Sequence, residues 1–186
     1  LAMFKIPIEG PVLAFFIFAA VSPYKKLNWL NIKPWIVLLV VTIYAAVDEY
    51  LQQFVNRSPD FLDFVANMSG ALTAMIILTF LRFWPALLIL TAIYIFALTN
   101  LSTSELVFSR IFINASFHFL AYAFFTLVWI QHIDRFIQIQ RKSLLWIAVA
   151  AAVPLAFLLF VKLISPLMGK QVWLVDVSTA ITGILL

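Results

Sequence analysis

The stretch Val47–Leu72, VDEYLQQFVNRSPDFLDFVANMSGAL, decides how this chain is read. It is a polar island between two oily runs. Thirteen apolar or small residues, Trp35 to Val47, lead into Asp48-Glu49. After Gly70 the chain is apolar again to Leu81. A carboxylate near the centre of a membrane-length helix costs roughly 2.5–3.5 kcal/mol on insertion scales, so acids in this setting are rarely accidental.

Two helices joined by a tight turn fit the stretch. The first is expected from Pro34 to Phe54 and the second from Phe61 to Arg82, with Ser58 and Pro59 as breakers in the Val55–Phe61 turn. At helical rise, about twenty residues cross the roughly 30 Å of a bilayer core. Asp48 and Asn67 lie equally far from the turn, so both sit about 9 Å below the same surface. Asp48 and Gln52 share one helix face, as do Glu49 and Gln53. Asp63, Asn67 and Gly70 make a second stripe, and the glycine allows paired helices to approach closely.

Composition sets the class. Of 186 residues, 65% are hydrophobic and only 11% charged, and the mean hydropathy is +1.10. That predicts an all-α, polytopic transmembrane helix bundle. The chain has no cysteine, which excludes disulfides, thiolate metal sites and a cysteine nucleophile. The excess of 12 Lys and Arg over 8 Asp and Glu reads as membrane topology, not nucleic-acid binding.

Seven apolar spans are expected: Ile6 to Val21, Pro34 to Phe54, Phe61 to Arg82, Trp84 to Leu98, Phe112 to Ile130, Leu144 to Ile164, and Val172 onward. The fourth is short, which leaves six spans as the alternative. The first residue is Leu and the last apolar run has no polar flank, so both ends are expected to be incomplete or processed. The side opposite the Val55–Phe61 turn carries Lys25, Lys26, Lys33, Arg82, Arg135, Arg141 and Lys142 against one acid, Asp134. Trp29, Trp35, Trp84, Trp129 and Trp146 mark an aromatic belt there, with Trp173 opposite. The turn side holds Lys5, Arg57, Arg110, Lys162 and Lys170 but also the other seven acids. The basic side is therefore assigned to the cytoplasm, where its lysines and arginines meet anionic lipid headgroups, and the acidic island faces outward.

The chain also echoes itself. FLDFVANMSGAL at 61–72 resembles WLVDVSTAITGIL at 173–185, and LAFFIF at 13–18 resembles LAYAFF at 120–125. Asp176 follows Asp63, and Gly183 follows Gly70, by the same 113 positions. Spans one to three thus echo spans five to seven in the same orientation, a parallel internal repeat of units 1–83 and 84–186.

Asp48-Glu49-x-x-Gln52-x-Phe54, Arg57, and Asp63-x-x-x-Asn67-x-x-Gly70 together resemble the core signature of the VanZ-like membrane proteins. His118-Phe119-Leu120-Ala121-Tyr122 is similar to the family's other signature, with Asn114-Ala115 where an Asp-Lys pair is usual. In the first unit Gly10-Pro11 stands on the corresponding helix, with no histidine. In the second, Val161, Lys162 and Ser165 stand where Asp48, Glu49 and Gln52 would be. The resemblance implies a degenerate tandem in a bacterial cytoplasmic membrane, linked through the family's namesake to teicoplanin resistance. It lends no reaction.

Asp48, Glu49, Gln52, Arg57, Asp63, Asn67 and His118 form the candidate cluster. It reads as an outward pocket for a small extracytoplasmic group, such as an envelope precursor or a glycopeptide-like molecule. A structural clamp between helices is the plain alternative. The economical arrangement is one composite site joining His118 to the first unit's acids, with Lys162 paired to Asp176. An accessory subunit packed among other membrane proteins and a small proton-coupled transporter are the competing functions. No catalytic residue, cofactor or metal is expected. One histidine on this side lacks the grouped partners a zinc site needs, and Ser58, Ser102 and Ser104 lack a nucleophile's setting.

Overall fold

A computed structural model describes residues 9–55, 60–100, 111–136 and 143–186. These residues form seven α-helices and no strand: α1 Glu9–Val21, α2 Ile32–Gln52, α3 Phe61–Phe80, α4 Phe83–Asn100, α5 Ile111–Phe136, α6 Leu144–Ile164 and α7 Leu174–Leu185. Five of them, α2 to α6, are long and apolar enough to cross a membrane. The chain is an all-α integral membrane protein.

Local chemistry sets the boundaries. Pro34 occupies the first turn of α2, where its missing N–H costs no helical bond. Asp60 caps α3, its carboxylate accepting from the Leu62 N–H at 2.9 Å. Ser143 caps α6 in the same way, accepting from the Trp146 N–H at 3.1 Å. A 3-10 turn, Ser165–Met168, closes α6 and ends at Gly169 with φ 72°, the left-handed cap that glycine adopts without a Cβ clash. Pro154 lies inside α6, a position membrane helices tolerate because neighbours take up the freed carbonyl.

α2 lies two residues earlier than expected at both ends, α3 ends two residues sooner, and the fourth and fifth helices run past their expected ends. The fourth helix is not a short piece: its 18 residues run to Asn100, because Thr99 and Asn100 continue the helix past the apolar run. The fifth passes Ile130 and ends at Phe136. Gln131, His132, Asp134 and Arg135 interrupt the hydropathy there, but nothing in them breaks a helix.

The chain divides into two compact units, the first of Lys5–Ala86 and the second of Leu87–Leu186. In the first, α1 and α3 make the most extensive contact and α2 packs on both. Its interior sets small residues, Ala14, Ala45, Ala71 and Ala74, beside Phe15, Phe18, Met75 and Leu78, while Phe16, Leu39, Ile43, Ile76 and Phe80 point outward. Lipid tails are as apolar as leucine, so helices here associate through close packing and hydrogen bonds. Gly10 shows the principle: a Cβ at this position would collide with the backbone carbonyl of Asn67.

In the second unit α5 and α7 form the tightest pair, and α6 packs on both. Tyr122, Phe125, Leu158, Ala180 and Ile184 make its core with Ile95 of α4. Here the glycine sits on the other partner. A Cβ on Gly183 of α7 would strike the carbonyl of Phe119 on α5.

Candidate functional site

Polar side chains gather within each unit, and the two gatherings differ. In the first unit the centre is Glu49, whose residue is 8% exposed. One carboxylate oxygen accepts from the Asp60 N–H at 2.9 Å, the other from the Gln52 amide at 3.1 Å. Asp60 is the N-cap of α3. Glu49 therefore holds the α2–α3 hairpin closed from the positive end of the α3 dipole. The same Gln52 amide donates to Asp48 at 3.2 Å. One neutral side chain thus clasps two adjacent acids.

Asn67 ties the third helix to the first: its Oδ1 accepts from the Gly10 N–H at 3.3 Å. Asp63, Asn67 and Gly70 share a half-buried face of α3, the stripe expected from their spacing. Tyr44, one turn before Asp48, lies within electrostatic reach of Glu9 at the start of α1. The first unit thus presents a half-buried, acid- and amide-rich surface from α1, α2 and α3. It offers acceptors to a donor-bearing group.

In the second unit Asp176 is the centre and is 5% exposed. Its Oδ1 accepts from the Asn114 amide at 2.6 Å. Its Oδ2 lies 3.6 Å from His118 Nε2 and 3.9 Å from Lys162 Nζ. Lys162 Nζ and His118 Nε2 are 3.5 Å apart. Three helices thus close a ring of one acid, one cation, one imidazole and one amide. His118 stacks on Tyr122 with ring centroids 6.3 Å apart. The buried Nδ1 of His118 and hydroxyl of Tyr122 make no hydrogen bond.

The structure thus brings Asp48, Glu49 and Gln52 together in one unit, with Asn67 on the neighbouring helix, and places His118 with Asn114, Lys162 and Asp176 in the other. The expected Lys162–Asp176 pair is present. Arg57, Ser58, Arg141 and Lys142 lie outside the described residues. Three features escaped the sequence reading. Gly10 read as a missing histidine, yet its N–H and its lack of a Cβ are what seat Asn67. The approach of Glu9 to Tyr44 had no signal beyond two polar residues placed on one side. Ser165 donates to Asn100 Oδ1 at 2.6 Å, and a lone Asn ending an apolar run gave no hint of its partner. Among the described residues, no group of three His, Asp or Glu side chains is placed to hold a metal ion.

The VanZ/LLP1 family model matches residues 2–82, the region that holds the Asp48–Gly70 signature. The matched first unit, somewhat under half of the chain, is similar to the VanZ-like family. No curated protein and no solved structure matches the chain. Within this VanZ-like unit the signature residues have separable tasks. Glu49 and Asn67 bind backbone N–H groups and hold helices together, while Asp48 is clasped by a side chain alone.

Proposed function

We propose that the two units are parallel copies of one VanZ-like fold, diverged into an open recognition site and a closed one. The supporting pattern is a shared register. α3 starts at Phe61 and α7 at Leu174, the same 113-residue step that relates Asp63 to Asp176. A 3-10 turn follows both α2 and α6. The buried face of α2, Val37, Val41 and Ala45, answers to Ala150, Pro154 and Leu158 of α6. One turn further on, Glu49 answers to Lys162. The LAFFIF and LAYAFF match sets buried Phe15 and Phe18 against buried Tyr122 and Phe125, and Pro11 against His118.

The exchange of Glu49 for Lys162 carries the functional reading. In the second copy the cation neutralises Asp176 from within, so the site is filled by the protein's own side chain. In the first copy the matching position is an acid, Glu49, and Asp48 beside it is clasped by the Gln52 amide. That copy takes its donor from outside: a small amine- or amide-bearing group, of the kind an envelope precursor or glycopeptide carries. The site faces outward from the cytoplasmic membrane.

Two experiments test this. In cells expressing the chain, Asp48→Asn with Asp63→Asn should abolish teicoplanin tolerance and teicoplanin binding by the purified protein while the fold persists. Retained tolerance, or purification only with a fixed set of partner subunits, would favour an accessory role instead. For topology, a cysteine replacing Ser58 should react with an impermeant thiol reagent on intact cells, and one replacing Lys26 should not. Reversed labelling sinks the outward site.

A further inference from the structure

The connection between α1 and α2 borders a half-open cavity of about 250 Å³. Ser22, Lys25, Lys26, Asn28, Asn31 and Lys33 line it. Three cations and three neutral hydrogen-bonding side chains face one space, with no acid among the lining residues. The chain is bent around it by Tyr24, whose φ of 61° is a left-handed conformation that a bulky side chain adopts only under constraint. Lys33 is fixed in place: its ammonium donates to the Val21 carbonyl at 3.1 Å and to the Ser22 hydroxyl at 3.4 Å. Asn31 is the N-cap of α2, yet its side chain makes no capping bond. The first N–H groups of that helix therefore add to the positive field.

Apolar residues accompany these polar groups: Phe18, Ile32 and Pro34 complete the lining, and Leu30 and Trp35 neighbour it along the chain. Leu30 is 95% exposed, Ile32 69% and Trp35 55%. Trp35 donates to the Trp29 carbonyl at 3.0 Å, and Trp29 to the Thr79 hydroxyl at 2.9 Å. Tryptophans anchored in this way are typical of a membrane–water interface. A soluble phosphate would gain nothing from such apolar neighbours, whereas a phospholipid would lay its chains against them. We propose that this cavity holds the phosphate of an anionic phospholipid headgroup, with the acyl chains lying on Leu30, Ile32 and Trp35. The general attraction of loop lysines to a charged surface needs no cavity; here three lysines line one.

The test uses the full chain purified in neutral detergent. Binding is followed by native mass spectrometry against phosphatidylglycerol and phosphatidylcholine. The expected result is a clear preference for phosphatidylglycerol, lowered about fivefold by each of Lys25→Gln and Lys26→Gln, the effect of one cation near an anionic surface. Those two lysines carry the test because Lys33 also bonds the backbone; Lys33→Arg should keep the affinity. Arg141→Gln with Lys142→Gln, a basic pair that the sequence assigns to the same membrane side, should change binding by less than about twofold. Equal losses from both pairs would mean diffuse surface charge and overturn the proposal. Absence of any headgroup preference would overturn it as well. Millimolar inorganic phosphate that displaces the lipid completely and raises thermal stability as much as the lipid does would assign the cavity to a soluble anion instead.

Discussion

Glu49 and Lys162, which the proposed repeat sets at equivalent positions, are both nearly buried and are of opposite charge type. The difference shows two ways to keep an ionised group in a membrane helix pair. Glu49 is held by neutral donors, a glutamine amide and a backbone N–H at a helix start. Among the described residues, that arrangement stabilises the charge without a counter-charge. Lys162 meets a carboxylate and an imidazole, so the charge is spent inside the unit. A group held by dipoles can still answer to a ligand, whereas one held by a counter-charge has its partner already.

The largest expected effect breaks the second arrangement. Lys162→Met leaves Asp176 buried without its cation and should cost about 3–5 kcal/mol, read as thermal stability in detergent. Adding Asp176→Asn should restore most of that loss, since a neutral pair no longer carries an uncompensated charge. If the single change is silent, Asp176 is neutralised by something else and the closed-site reading fails.

Next are the two glycines, on opposite members of their helix pairs. Gly10→Val and Gly183→Val should each cost about 2–3 kcal/mol, because backbone rather than a movable side chain stands in the way. Loss at only one position would mean that only one unit depends on close backbone approach.

A smaller effect sharpens the electrostatic comparison. Asn114 donates to Asp176 where the family pattern has an acid. Asn114→Asp removes the donor and sets two carboxylates together, at an expected cost of about 1–2 kcal/mol. The loss should shrink when Asp176→Asn is added, a coupling that a double-mutant cycle measures directly. Additive effects would show that the two side chains do not act on each other.

The smallest stability change is expected in the first unit. Asp48→Asn keeps a side chain that Gln52 can still bond, so its cost should stay below about 1 kcal/mol while ligand recognition falls. Glu49→Gln should cost more than Asp48→Asn, since Glu49 alone of the pair binds the Asp60 N–H. Equal stability effects would erase the division between clamp and site.

Much of this was legible along the chain. Runs of apolar residues gave seven helices, because a helix in lipid must satisfy its own backbone and can do so only over a sustained stretch. Pro34 and the Ser58-Pro59 break marked ends through local chemistry. The three-and-four spacing set Asp48 with Gln52, and Asp63 with Asn67, on single faces. What a spacing cannot give is the rotation of one helix against another, since that depends on which small side chains let two backbones meet. Tertiary structure therefore decided that Glu49, rather than its neighbour Asp48, reaches the start of α3. It decided that Gly10 is the seat of Asn67. It also placed His118 in a ring with Asn114, Lys162 and Asp176, drawn together from three helices because a buried charge is stable only where partners converge on it.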